Sequence, residues 1–260
     1  AQAWSAQRRS EPAALHIDTG MNRLGAPISE IGAIKALSVN FDLVMSHLAC
    51  ASEPDHPMNA RQRALFEEVA RAFPNARRSL SASGGALMAD AYHYDLVRPG
   101  IALYGASPFD DGPDPRLRPV ARLTAPVVQL RRVATGETAG YGATRRFEKD
   151  ALLATVALGY GDGLPRNASN RGAAYLGGAV CPIAGRVSMD LTILDASNAP
   201  RPIEIGDRAE FFGPAFAIED AARHAGVSVY ELLTGLGARL DRRYLSGVSH
   251  ERRRDGGKVQ

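Results

Sequence analysis

Near the middle of the chain a tyrosine is set between two glycines, in Gly140-Tyr141-Gly142-Ala143-Thr144. Glycine on each side removes steric cover and permits backbone angles that other residues avoid. The phenol is therefore expected at a turn and not packed inside a strand. Such a tyrosine is either an ordinary turn residue or an acid–base group, the second if its neighbours lower its pKa from about 10. The first half of the chain carries a second set of polar residues: Asp18-Thr19-Gly20, Ser46-His47, Ser81-Ala82-Ser83-Gly84 and Arg98-Pro99-Gly100. Each of the four lies at the end of a short apolar run or just after it.

Those runs define the elements that must position the polar groups. Residues 13–17, 42–47, 78–82 and 96–104 read as strands, and residues 27–37, 57–73 and 84–91 as helices, with Pro27 and Ser29 as start signals for the first. In 57–73, Met58, Leu65, Phe66, Val69 and Phe73 fall on one stripe, mostly away from Arg61, Arg63, Glu67, Glu68 and Arg71. Four strand–helix units with short connections predict parallel pairing and right-handed crossovers. In such units chemistry collects at the C-terminal ends of the strands, where the polar clusters stand.

After Tyr104 the texture changes. Residues 110–119, rich in Asp, Pro and Gly, read as a linker or long loop. Short strands follow at 125–133, 152–158, 173–176, 180–184, 191–195 and 208–212, the pattern of a small β-domain or barrel. Two helices close the chain. The second begins with a capping box, Ser228 with Glu231, and Leu232, Leu233, Leu236 and Leu240 supply its buried stripe. The expected division is an α/β part over 1–118, a mainly-β domain carrying Tyr141 over 119–246, and a tail over 247–260.

At 260 residues the chain can bury a sizeable core. It has no apolar run of about eighteen residues to span a membrane, and residues 1–10 hold no apolar secretory core. Of its 31 basic residues only Lys35, Lys149 and Lys258 are lysines. The one dense basic run, Arg252-Arg253-Arg254, lacks aromatic interleaving, which argues against a nucleic-acid partner. Cys50 and Cys181, the two cysteines, suggest free thiols in a reducing, cytoplasmic compartment. His47, Cys50 and His56 do not make a zinc spacing, so no metal is expected.

Six blocks, in order, resemble bacterial alanine racemases: HIDTGMNRLG at 16–25, SHLACA at 46–51, VRPGIALYG at 97–105, GYGAT at 140–144, GYGDG at 159–163 and GRVSMD at 185–190. Together they run over nearly the whole chain. The resemblance implies a pyridoxal 5'-phosphate enzyme with a (β/α)8 TIM-type barrel followed by a C-terminal β-domain, α/β plus β, working as a head-to-tail homodimer with shared active sites. It also implies interconversion of L- and D-alanine, supplying D-alanine for peptidoglycan. Racemisation takes the α-proton from one face and returns one to the other, so two bases are needed. Tyr141 matches the base for L-alanine. Arg98 matches the residue facing the cofactor's pyridine nitrogen, and His47 the residue bonded to that arginine. Arg23 matches an arginine near the substrate and the cofactor's phenolic oxygen. Ser83, Gly100 and Ile101 match phosphate contacts. Met189, whose backbone touches the substrate carboxylate in the family, and Tyr160 and Asp190 match residues contributed by the partner subunit.

The chain departs from the family in places. His16 stands where many members have a carbamylated lysine propping the arginine matched by Arg23. Ala82 replaces an asparagine, and Ala238 a phosphate-binding tyrosine. Nothing resembles the VKANAYGHG-like segment with the Schiff-base lysine, and Lys35, Lys149 and Lys258 do not fit that role. With four strand–helix units where such a barrel has eight, and no initiator methionine, the expectation is a fragment beginning about halfway round the barrel and inactive alone. A non-catalytic binding module derived from the family, or a racemase of serine or broader specificity, are the alternatives.

Overall fold

The computed structural model describes residues 11–37 and 39–245. The sequence-based expectations for residues 1–10 and 247–260, including Arg252-Arg253-Arg254 and Lys258, lie outside the described residues. The first half alternates strands and helices. Strand β1 (Ala13–Asp18) leads through the two-residue β2 (Ala26–Pro27) to α1 (Ile31–Lys35). Strand β3 (Phe41–Met45) precedes α2 (Pro57–Ala70), and β4 (Arg77–Ser79) precedes α3 (Ser83–Met88). The four strands form one sheet in the order β2-β1-β3-β4, every pair parallel. Ile17, Val44, Phe66 and Leu80 are fully buried between sheet and helices.

Three expectations are corrected. Residues 96–104 do not form a strand. Ala82 and Arg98 make a single parallel bridge, after which the chain turns into a 3-10 helix (Ile101–Tyr104). Pro99 has no N–H for a ladder, and the N–H groups of Gly100 and Ala102 donate to Ser83 Oγ instead of a neighbouring strand. The helix expected over 27–37 is a 3-10 turn (Ile28–Glu30) leading into the five-residue α1, and Ser29 caps nothing. The buried face of α2 is Asn59, Gln62, Phe66, Val69 and Ala70, whereas Met58 and Leu65 are only half-buried. The apolar stripe was displaced because two polar residues take the inward positions next to the β3–α2 loop.

The second half is built on a six-stranded antiparallel sheet. Its strands are β5 (Leu123–Val133), β8 (Ala151–Val156), β9 (Ala173–Leu176), β10 (Ala179–Pro182), β11 (Thr192–Asp195) and β12 (Arg208–Phe212), ordered β10-β9-β12-β5-β8-β11. Register shifts at Val127/Gln129 and Glu210/Phe212 bend it. An Ile183–Leu194 bridge joins the β10 side to β11 at the far edge, so the sheet curls toward a barrel. Between β5 and β8, β6 (Thr138–Ala139) and β7 (Arg145–Arg146) form a small hairpin with Tyr141 in its connection. Helices α4 (Ile218–Ala225) and α5 (Val229–Thr234) cover the core, and α5 begins with the expected Ser228–Glu231 capping box. Among the described residues no helix is long and apolar enough to cross a membrane, and no group of three His, Cys, Asp or Glu side chains could hold a metal ion.

Candidate active site

The parallel strand ends converge on Arg98. Its Nη2 donates to the Ser46 carbonyl (2.6 Å), more weakly to the Leu80 carbonyl (3.3 Å) and to His47 Nδ1 (3.3 Å); its Nη1 donates to Ser79 Oγ. Ser79 Oγ in turn donates to the Leu96 carbonyl at 2.7 Å. The chain beyond β3 supplies Ser46 and His47, and β4 with the residue after it supplies Ser79 and Leu80, so the sheet itself aims the guanidinium. An arginine always donates, so His47 accepts at Nδ1 and carries its proton at Nε2. Burial, then the positive charge of Arg98, holds the His47 imidazole below its ordinary pKa. Burial also lowers Arg98 itself.

The local field is positive. His16 on β1 is held low by burial and then by Arg98, with Asp18 opposing. Arg23 adds to the depression of both histidines. Asp18 Oδ1 accepts from the N–H groups of Gly20 (2.8 Å), Met21 (2.9 Å) and Asn22 (3.2 Å), which folds the loop presenting Arg23. Those amides hold the Asp18 carboxyl below its usual value. Gly25 closes the loop at φ +124°, where a Cβ would sit 2.8 Å from Asp18 N. Among the described residues no carboxylate forms an ion pair with Arg23 or Arg98. Two uncompensated guanidiniums beside half-buried histidines make an electrostatic site for an anionic ligand.

Ser83, at the start of α3, accepts from Gly100 N (2.9 Å) and Ala102 N (3.2 Å). Accepting twice leaves its hydroxyl hydrogen to donate. The Gly100 amide thus donates to Ser83, while the Ile101 amide has no acceptor among the described residues. The Ile101 side chain is buried in the β-domain core, which anchors that amide. A Cβ at Gly100 would meet nothing within 4 Å, so the site opens there.

The other four candidates gather on the second half. Tyr141 is 72% exposed, with Gly140 at φ +74° and Gly142 at φ +73° framing it. A Cβ at Gly140 would come 3.0 Å from Arg186 N, so this turn lies against the 185–190 loop. The same loop holds the 159–163 turn: Tyr160 N donates to Ser188 O (3.0 Å) and Gly161 N to Met189 O (2.8 Å). Asn170 fixes the loop from below, accepting from Gly185 N (2.7 Å) and donating to Thr144 Oγ1 (3.0 Å). Tyr141, Tyr160, Met189 and Asp190 thus share one loop system. Among the described residues no hydrogen bond or ion pair joins it to the Arg98 cluster.

Sequence reasoning missed Gln62. This fully buried side chain accepts from Ala49 N (2.8 Å) and donates to the His47 carbonyl (2.9 Å) and Thr19 Oγ1 (3.1 Å). Thr19 shares a 2.8 Å hydrogen bond with Ser46 Oγ. The amide therefore locks the segment that gives Arg98 its carbonyl and His47. Only a break in the α2 stripe, a glutamine where a leucine fits, marks it in the sequence. Gln62→Leu strands buried partners at a cost of about 1–3 kcal/mol each, and a lowered urea midpoint checks this. The depressed histidines set a pH dependence. The unfolded chain takes up their protons first, so their contribution to stability is complete above about pH 6.5 and is lost as pH falls from there. Thermal melts at falling pH should show that loss, and His47→Gln should flatten part of it.

Residues 1–108 match the family model for the alanine racemase N-terminal domain, and residues 120–244 that for the alanine racemase C-terminal domain. A catabolic alanine racemase of Agrobacterium fabrum is 47% identical over 252 residues, covering 93% of this chain and 65% of the relative. An alanine racemase of Rhodospirillum rubrum is 44% identical, covering 94% and 67%. Biosynthetic alanine racemase from Pseudomonas aeruginosa superposes with a TM-score of 0.86 at 36% identity, over 94% of this chain and 70% of that one. The Bartonella henselae alanine racemase, with covalently bound pyridoxal phosphate, superposes at 0.85 with 34% identity. The chain spans about two thirds of the length of these relatives, as the 65% and 70% coverages state. It belongs to the alanine racemase family.

Proposed function

We propose that this chain supplies most of a cytoplasmic, pyridoxal-phosphate-dependent alanine racemase that interconverts L- and D-alanine and provides D-alanine for peptidoglycan. The observation carrying this is Arg98, aimed by two strand ends and His47 with no carboxylate partner among the described residues. Its Nε–H has no acceptor among the described residues, which suits a pyridine nitrogen. The free Ser83 hydroxyl hydrogen and the open Ile101 amide suit a phosphate oxygen, and Gly100 leaves room beside them. Bound there, pyridoxal phosphate supplies the electron sink for the charge left when the α-proton departs. Arg98 cannot readily give up a proton, so it keeps the ring nitrogen unprotonated, which tempers that sink and disfavours side reactions such as transamination.

Tyr141 takes the α-proton of L-alanine at its phenol oxygen, and Arg23 and the Met189 amide orient the substrate. Tyr141, Tyr160, Met189 and Asp190 complete the Arg98 site of a second subunit in a head-to-tail homodimer, in keeping with the lack, among the described residues, of any hydrogen bond or ion pair from them to Arg98. The division at 118/119 belongs to the same proposal; it falls between the two family-model matches, and Ile101 and Ala106 from before it pack into the core of the second part.

The second base is assigned to a cofactor-binding lysine outside residues 1–260. Lys35 shares a surface cleft with Phe41 and Phe73 at the N-terminal end of β3, opposite the strand ends that hold Arg98. Lys149 sits in the turn before β8. The 260-residue chain is accordingly inactive alone, and racemisation of alanine by that chain with added pyridoxal phosphate would overturn the assignment. In the intact enzyme Tyr141→Phe should slow α-proton removal from L-alanine by about 10²–10⁴-fold, read as deuterium wash-in from heavy water. Near-normal exchange would contradict the role.

A further inference from the structure

The turn carrying Met189 and Asp190 has an electrostatic problem. The Met189 and Asp190 N–H groups have no acceptor among the described residues, so the turn offers an open pair of donors. Asp190, nearly half exposed, puts a carboxylate on the same turn. A bare carboxylate there would repel the anionic end of any ligand those amides receive.

Arg239, just beyond α5, answers that charge. Its Nη2 donates to Asp190 Oδ1 at 2.6 Å, and its Nε stands 3.3 Å from Asp162 Oδ1. Asp162 is buried, and its second oxygen accepts from Gly159 N at 2.9 Å, closing the 159–163 turn. One guanidinium therefore spans the carboxylates of two turns that already bond to each other through Tyr160 N–Ser188 O and Gly161 N–Met189 O. The seat is shaped for it. A Cβ at Gly161 would lie 2.5 Å from Arg239 Nη1, and Gly237 N donates to the Asp162 carbonyl at 2.8 Å, bringing the 235–239 segment against the turn.

We propose that Arg239 is a positioning residue for substrate carboxylate recognition: it neutralises Asp190 and ties it to Asp162, so that the Met189 and Asp190 amides receive an anion instead of facing a competing charge. The proposal rests on the racemase reading above. It extends that reading to a residue outside the six sequence blocks. A lysine would not replace Arg239 fully, because a single ammonium lacks the planar fork that reaches two carboxylates.

The test uses the intact enzyme and four variants: Arg239→Met, Arg239→Lys, Asp190→Asn and the Arg239→Met/Asp190→Asn double. Wild-type racemisation of alanine is measured first, and its absence would count against the racemase reading alone. Arg239→Met is expected to raise KM for alanine about tenfold with kcat within about threefold. Arg239→Lys should fall between. Removing the Asp190 charge in the double variant should bring KM back toward wild type, a rescue that a merely structural arginine would not show. Hydrogen exchange gives a readout independent of activity: amides of 159–163 and 186–192 should exchange faster in Arg239→Met, with those of 57–70 unchanged. An unchanged KM, a kcat loss tracking a lowered melting temperature without rescue, or unchanged exchange in the two turns would each overturn the proposal.

Discussion

A guanidinium with no carboxylate partner among the described residues organises this molecule. Arg98 draws its ligands from the ends of two parallel strands and from His47, and every one is a neutral acceptor. Taking such a charge partly out of water without a counter-ion is unfavourable. Parallel strands make it tolerable, because their C-terminal ends bring carbonyls and short polar side chains to one place. The same convergence lowers the pKa of His16 and His47, first by burying them and then by standing them beside the fixed positive charge of Arg98. The result is an arginine whose charge remains for a ligand to use.

The second half solves a different problem. It presents exposed groups at fixed angles without burying them, using a bent antiparallel sheet as a rigid base and paired turns as mounts. The 185–190 loop is common to both mounts, lying under the Gly140–Gly142 turn and bonding to the 159–163 turn. Tyr141 and Tyr160 are consequently exposed and yet built on a defined backbone.

Much of this could be read from the residues. Glycines at 140 and 142 framed Tyr141 as a turn residue, and both take positive φ. The Ser228–Glu231 capping box and the β9 and β12 strands lie where periodicity and punctuation put them. Elsewhere tertiary contacts overrode local pattern. The apolar run through residues 96–104 looked like a strand, but Pro99 cannot sustain a ladder and Ser83 captures the following amides. Gln62 showed only as a break in the stripe, because a buried amide is chosen by its partners, here the Ala49 N–H, the His47 carbonyl and the Thr19 hydroxyl, 13 to 43 positions away in sequence. Arg239 likewise acquires meaning only from Asp162 and Asp190, which its own segment does not reveal.

The central claim is that each active site is shared, Arg98 from one subunit and Tyr141 from its partner. Mixing two disabled forms of the intact enzyme tests this directly, Arg98→Ala with Tyr141→Phe, dissociated and reassociated in equal amounts. A shared site predicts recovery to about a quarter of wild-type activity, because half of the dimers are hybrids and each hybrid regains one complete site. If hybrids form and activity stays at the level of the separate variants, Tyr141 does not serve the partner's Arg98 and the account is wrong.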